Sequence, residues 1–425
     1  MNLVPRDKTM KIDEPQKYMD ALADLIHAPP ALSEVRLLEE LCAIDSQSLN
    51  RQGVQRAQLW VADFLSKLGF EISMLPGDAR FADLLVAERA GRSDQFISLV
   101  AHTDTVLRNW GKLRFDSHSR AFGSGVIDDK GGVVVGLTAL QRLLSQDSRT
   151  AYSLRFICSP NEEVGSIGFT EKYRELAKDT AIALGLEPAL DSGNIIHQRR
   201  GNRWYDIDIE GQEAHAGRSK GDHANAAHAM AEKIQALARL NEPDEDVNVN
   251  VGHVRAGRDL HNVICGHAHV KLDTRFPSAA TRDRLHQDID RILCTPGDAR
   301  VCGHIPARVR YSIVDDCPPF SLTERSRELA DFLAHSIGEI EGRSVLSQAS
   351  GGAGDVNYLS TDTNLVLDGL GPVGGLMHTE REFLYVNTLS TRASALAQLL
   401  RYLQFQTPGR EPAAVNLPIY QAETR

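Results

Sequence analysis

The chain has 425 residues, 42% of them hydrophobic and 24% charged, with a formal net charge of -10. At roughly 100–200 residues per domain, that length predicts two or three domains with a sizeable core. The acidic balance, without any Lys/Arg cluster, excludes a nucleic-acid footprint, and no uninterrupted apolar run approaches membrane-spanning length.

The first residues, from Met1 to Ile26, are polar and lack the apolar stretch of a secretion signal, so a cytoplasmic protein is expected. Cys42, Cys158, Cys265, Cys294, Cys302 and Cys317 are scattered without a Cys-x-x-Cys pair and read as reduced, mostly buried thiols. A helical pattern around Tyr18 to Ile26 precedes Pro29-Pro30. Helices are expected over 33–43 and 53–68, and strands over 70–75 and 83–87. Phe96-Ile97-Ser98-Leu99-Val100-Ala101 is a continuous apolar run, the mark of a strand buried on both faces of a parallel sheet, and it ends in His102-Thr103-Asp104.

Gly125-Val126-Ile127-Asp128-Asp129-Lys130-Gly131-Gly132 follows. It sets two mutually repelling carboxylates at a strand-to-helix corner, between glycines that permit a sharp turn. Alone, it serves a solvated turn as well as a metal corner. A helix over 131–145 comes next, then a strand over 153–158 ending in Asn161-Glu162-Glu163, a helix over 170–177, and a strand over 181–186 ending in Glu187. Successive strands thus end in metal-competent side chains, and open α/β sheets place their ligand sites outside the carboxyl ends of the strands.

From about residue 200 the period changes. Tyr205, Ile207 and Ile209 alternate with acids, and similar alternation marks 247–251, 268–272 and 309–313, with helices expected over 224–240 and 281–293. The order β-α-β-β-α-β is that of a ferredoxin-like α+β unit. The expected architecture is therefore α/β: a mixed, mostly parallel sheet with helices on both faces, formed by 1–199 and 315–425, with an inserted ferredoxin-like domain at 200–314. A helix over 326–338, a strand over 365–367, the Gly-rich passage 369–375, His378 and a helix over 390–403 complete the chain, before a polar tail from Thr407.

His102, Asp104, Asp128, Glu162, Glu163, Glu187 and His378 are the candidates for chemistry. Imidazole with carboxylate and no thiolate suits zinc or manganese in a hydrolytic site. Asp104 can orient the ring of His102. One member of the Glu162-Glu163 pair can bind a metal and leave the other to take a proton from water.

These motifs, with Glu213-Ala214-His215-Ala216-Gly217 and the passage from Asp368 to Thr379, resemble the dinuclear zinc aminoacylase and carboxypeptidase superfamily. That group includes acetylornithine deacetylase, succinyl-diaminopimelate desuccinylase and the carboxypeptidase G type of glutamate carboxypeptidase. The resemblance runs from about residue 35 to 403. It implies two zinc ions per subunit, with cobalt or manganese as substitutes. Asp128 would be the bridging ligand, His102 and Glu187 would complete one site, and Glu163 and His378 the other. Glu162 would be the general base and Asp104 its catalytic neighbour, with a cis peptide between Asp128 and Asp129. The inserted domain would be a lid and dimerisation domain. His215, from the partner's lid, would steady the oxyanion in a homodimer. Asn262, Arg275 and the glycine loop containing Gly352 would hold the substrate's free carboxylate; the alternative for Arg275 is a surface ion pair with Asp273. Lys220 and His223 stand where the family usually has a proline and a glycine.

The implied activity is cleavage of an amide bond in a small peptide or N-acyl amino acid, next to a free carboxylate. The passage Asp368-Gly369-Leu370-Gly371-Pro372-Val373-Gly374-Gly375 most resembles the carboxypeptidase G branch, which implies release of a C-terminal, glutamate-like amino acid. The rivals are an N-acyl amino acid deacylase, a dipeptidase, and a non-catalytic peptide-binding relative, whose mark would be loss of Glu162 or a ligand.

Overall fold

The computed structural model describes residues 32–109, 111–146 and 150–404; the helix expected around Tyr18 to Ile26 and the tail from Thr407 lie outside the described residues. Helices α1 (Leu32–Cys42) and α2 (Arg51–Lys67) lead into strands β1 (Glu71–Leu75), β2 (Leu84–Arg89) and β3 (Phe96–His102). Helix α3 (Lys130–Gln146), β4 (Ser153–Ser159), α4 (Thr170–Ala177) and β5 (Thr180–Gly185) follow. Then come β6 (Gly201–Glu210), α5 (Ala226–Ala238), β7 (Asn248–Ala256), β8 (His267–Phe276), α6 (Ala279–Cys294) and β9 (Arg308–Cys317). Helix α7 (Glu324–Glu341), β10 (Leu365–Leu367) and α8 (Val386–Gln404) end the described chain.

The first sheet has the order β1-β2-β4-β3-β5-β10. Strand β3 pairs in parallel with β4 and β5, and β5 with β10, while β1 and β2 are antiparallel additions. Alternate residues of β3 explain its unbroken apolar run. Ile97, Leu99 and Ala101 join the core shared with α3, α7 and α8, whereas Val100 joins the opposite core with Phe169 and Tyr173 near and on α4. A strand covered on both faces has no solvated side on which to place polar residues.

The second sheet is antiparallel, in the order β7-β8-β6-β9. Tyr205, Ile207 and Ile209 of β6 pack with Met230 of α5 and Leu285, Ile289 and Leu293 of α6 in a separate core, and the intervening acids face outward. Strand β7 runs on to Ala256, beyond the alternation at 247–251. A register shift between Val251 and His253, at Gly252, breaks the period without ending the pairing.

Short strands also pair Gly374–Gly375 with Phe383–Tyr385, and the latter with Arg120–Phe122. Segments of two or three residues carry no readable period, yet this pairing brings the loop holding His378 beside the 125–132 segment. Among the described residues, no helix is long and apolar enough to cross a membrane.

Helices α7 and α8 are joined through a buried charge cluster. Glu341 Oε1 accepts from Arg392 Nε at 3.0 Å and from Thr391 at 3.0 Å, and its Oε2 accepts from Arg343 Nε at 2.8 Å. Removing one member leaves buried guanidinium groups uncompensated. Glu341→Ala is therefore expected to cost about 3–5 kcal/mol in urea denaturation. A loss below about 1 kcal/mol would show that the arginines find other partners.

Candidate metal centre

Because β3, β4 and β5 run parallel, their carboxyl ends share one edge of the sheet. His102 is the last residue of β3, Glu162 and Glu163 open a short turn (Glu162–Val164) after β4, and Glu187 follows β5. Asp104 holds the first two of these ends together. Its Oδ1 accepts the backbone N–H of Glu162 at 3.0 Å, and its Oδ2 accepts that of Glu163 at 3.3 Å and the hydroxyl of Ser48 at 2.7 Å. The ring Nδ1 of His102 lies 3.1 Å from the Asp104 carbonyl and 3.3 Å from its Oδ1. One carboxylate thus orients the imidazole and the turn bearing both glutamates.

The corner before α3 has little room. Gly125 has φ +70°, a left-handed conformation that suits glycine, and a Cβ on Gly132 would stand 2.0 Å from Asp129 Oδ1 and 2.1 Å from the Leu186 carbonyl. The Asp128–Asp129 peptide is cis. Asp128 projects between the two histidines. Its Oδ1 is 3.0 Å from Nε2 of His102, and its Oδ2 is 3.2 Å from Nε2 of His378. His378 Nε2 also lies 3.1 Å from Glu163 Oε2, and His102 Nε2 lies 3.6 Å from Glu187 Oε1.

Crowded acids perturb one another. Burial, then the charge of Glu187, pushes the Glu162 carboxyl well above its ordinary range. Burial and Asp128 raise Glu187 to about 8. Burial would raise Asp128 too, but hydrogen bonds from His102 and His378 outweigh it and hold this carboxyl low. Hydrogen bonds to Asp128 and Glu163 push His378 up to about 10. Burial works against a charged His102, yet Asp104 and Asp128 hold its pKa well above the usual value. So much negative charge in a buried space calls for cations.

The donor set fits that demand. Among the described residues, Asp129 Oδ1 and Glu163 Oε1 are buried without a hydrogen-bond partner. Donor atoms of His102, Asp128 and Glu163 lie within 4.8 Å of one another, as do those of His102, Asp129 and Glu187. Carboxylate and imidazole suit zinc or manganese. The closeness of Asp129 was not foreseen from its place in the sequence. Its Oδ2 accepts the His102 backbone N–H at 3.3 Å.

Glu382 also escaped sequence reading. It is 3% exposed, and its carboxylate accepts the backbone N–H groups of Gly125 at 3.0 Å, Ile127 at 3.1 Å and Asp128 at 3.3 Å. It sits four residues beyond His378, whose own φ is +62°. One side chain therefore ties the His378 loop to the corner that carries Asp128. An acid four residues beyond a candidate ligand was the sequence signal; its burial appears only in the fold.

The other predicted site residues divide. Arg275 lines a cavity with Glu162 and Glu163, while its Nε lies 3.0 Å from the Asp273 carboxylate, so the cavity and the ion pair coexist. Gly352 is exposed, and its carbonyl accepts from buried Arg199 at 3.0 Å. His215 and Asn262 are exposed and neighbour each other: His215 pairs with Val263, and the Asn262 carbonyl accepts from Ala216 at 3.0 Å. Among the described residues, no hydrogen bond or ion pair joins His215 to the carboxylates.

The sequence profile of peptidase family M20/M25/M40 matches residues 98–402. The chain is 23% identical to carboxypeptidase G2 of Pseudomonas sp. (strain RS-16) over 373 residues, covering 86% of this chain and 88% of that protein. It is 26% identical to succinyl-diaminopimelate desuccinylase of Leptothrix cholodnii over 381 residues, covering 84% of this chain and 95% of that one. A metallo-carboxypeptidase structure from Sulfolobus solfataricus superposes with a TM-score of 0.70 at 13% identity, covering 87% of this chain and 99% of that one. A tripeptidase structure from Staphylococcus aureus gives 0.68 at 19% identity, covering 88% and 98%.

Glu382→Ala should weaken metal binding roughly 10–100-fold in chelator competition, the range for outer-shell partners, with a smaller loss in Glu382→Gln. Unchanged affinity in both variants would show that the Asp128 corner holds without this clamp.

Proposed function

The chain belongs to peptidase family M20/M25/M40 and is a metal-dependent hydrolase of the metallopeptidase and amidohydrolase class, and on that premise we propose that it cleaves an amide bond beside a free carboxylate, releasing a C-terminal amino acid from a small peptide. The observation that carries the proposal is Asp128, with one oxygen toward each histidine and Glu162 fixed close by through Asp104.

His102, Asp128 and Glu187 would hold one zinc ion, and Asp128, Glu163 and His378 a second; cobalt or manganese would substitute. Bound there, the ions would polarise the scissile carbonyl and lower the pKa of the attacking water. Glu162 takes that water's proton on its carboxylate and delivers it to the leaving nitrogen. Asp104 keeps His102 and the Glu162 backbone aligned. Arg275, Asn262 and the loop of Gly352 hold the substrate's carboxylate. Residues 200–314 act as the lid and dimerisation domain between 1–199 and 315–425. The exposure of His215 supports a homodimer in which this imidazole reaches the partner's site and meets the developing oxyanion.

Similarity to the desuccinylase favours a second reading, an N-acyl amino acid deacylase. A dipeptidase would instead require a free α-amine. N-blocked dipeptides and N-acyl amino acids, varied on each side separately, distinguish the three.

Glu162→Ala should retain its metal and lose about 10²–10⁴-fold in turnover; full activity would assign the proton transfer to another group. His215→Ala should bind metal and be nearly inactive. Mixing the two variants should restore activity, because one mixed site holds both native residues. No recovery would place His215 outside the partner's site.

A further inference from the structure

We infer that the leaving amino acid carries a positively charged, hydrogen-bond-donating group besides its carboxylate, and that Asp315 receives it. The inference rests on the proposed hydrolase reading and replaces the glutamate-like preference with the opposite charge.

The cavity beside Glu162 and Glu163 has a volume of about 160 Å³. That is below the ~300–1,000 Å³ typical of drug-sized ligands and suits one amino-acid residue. Its far wall is the end of the second sheet. Arg275 of β8 pairs in register with Asn202 of β6, and Asn202 with Cys317 of β9. A register shift between Ile313 and Asp315 alters the alternation of β9 there. Asn202 Nδ2 donates to Asp315 Oδ2 at 2.5 Å, and the Tyr358 hydroxyl donates to Asp315 Oδ1 at 2.5 Å. The cavity wall thus carries a cation, an amide and an anion on neighbouring strands.

Asp315 is 4% exposed, and its hydrogen-bond donors, the Asn202 amide, the Tyr358 hydroxyl and the Asp316 backbone, are neutral. Among the described residues it forms no ion pair. The adjacent Asp316, by contrast, is 2.8 Å from Arg203. Carboxylates buried to this degree normally face a cation. Each oxygen of Asp315 has capacity for a further donor. Asp355 lines the same cavity and likewise accepts one neutral donor on each oxygen, Ser166 at 2.5 Å and Tyr173 at 2.9 Å, so the wall holds two buried acids that form no ion pair among the described residues. Among the described residues Arg275 donates a side-chain hydrogen bond only from Nε, to Asp273, which leaves its other N–H groups for a substrate carboxylate. A glutamate side chain would set a second carboxylate against Asp315. A lysine or ornithine ammonium would supply the counter-charge that this buried acid lacks.

The test measures kcat/KM of the metal-replete full chain on N-acetyl-alanyl-lysine, -norleucine and -glutamate. Lysine should exceed both others by at least about tenfold, because its ammonium alone satisfies a buried acceptor. In Asp315→Asn and Asp315→Ser the ratio of lysine to norleucine should fall toward one. The wild-type preference tests the inference even where a variant fails to fold. A wild-type preference for glutamate or norleucine, or a ratio unmoved in a folded variant, would overturn the role of Asp315 while leaving the hydrolase reading intact. Hydrolysis of none of the three would overturn the carboxypeptidase reading and the inference with it.

Discussion

The structure depends on one carboxylate shared between two imidazoles. Asp128 presents one oxygen to His102 and the other to His378, two residues separated by most of the chain. Held among other acids, such a group is costly unless positive charge is supplied. Much of the surrounding structure serves to hold it there. Gly132 has no room for a side chain, Glu382 grips the backbone of the corner, and the short strands around His378 bring a late loop onto an early one.

Neighbouring glutamates diverge from this centre. Both line the cavity that contains Arg275 and Asp315, but Glu163 alone also reaches His378, at 3.1 Å. Asp104 accepts the backbone N–H of both, so one carboxylate fixes the turn from which the two side chains leave. The second sheet meets that turn directly: a Cβ on Gly165 would stand 2.5 Å from the Trp204 ring. The candidate metal centre and the residue-sized cavity therefore lie together at the junction of the two sheets.

The long elements of the fold were legible because each repeats one environment. The apolar run of β3 reflects burial on both faces, and the alternation in β6 reflects burial on one. The metal-competent side chains were legible because they stand just after such strands. Glu382 and Ser48 were not, since each acts through contacts with residues far away in sequence. The strands flanking His378 are too short to show a period. Asp315 was hidden for another reason. A bulge moves it off the regular alternation of β9, and only the folded sheet end reveals that it shares a cavity with Arg275.

The most direct measurement is anomalous diffraction at the zinc absorption edge from crystals of the metal-replete protein. Two peaks per chain are expected, one on each side of the Asp128 carboxylate, the first beside His102 and Glu187 and the second beside His378 and Glu163. A single peak, no peak, or peaks that do not share Asp128 would contradict the assignment of this carboxylate as the bridge.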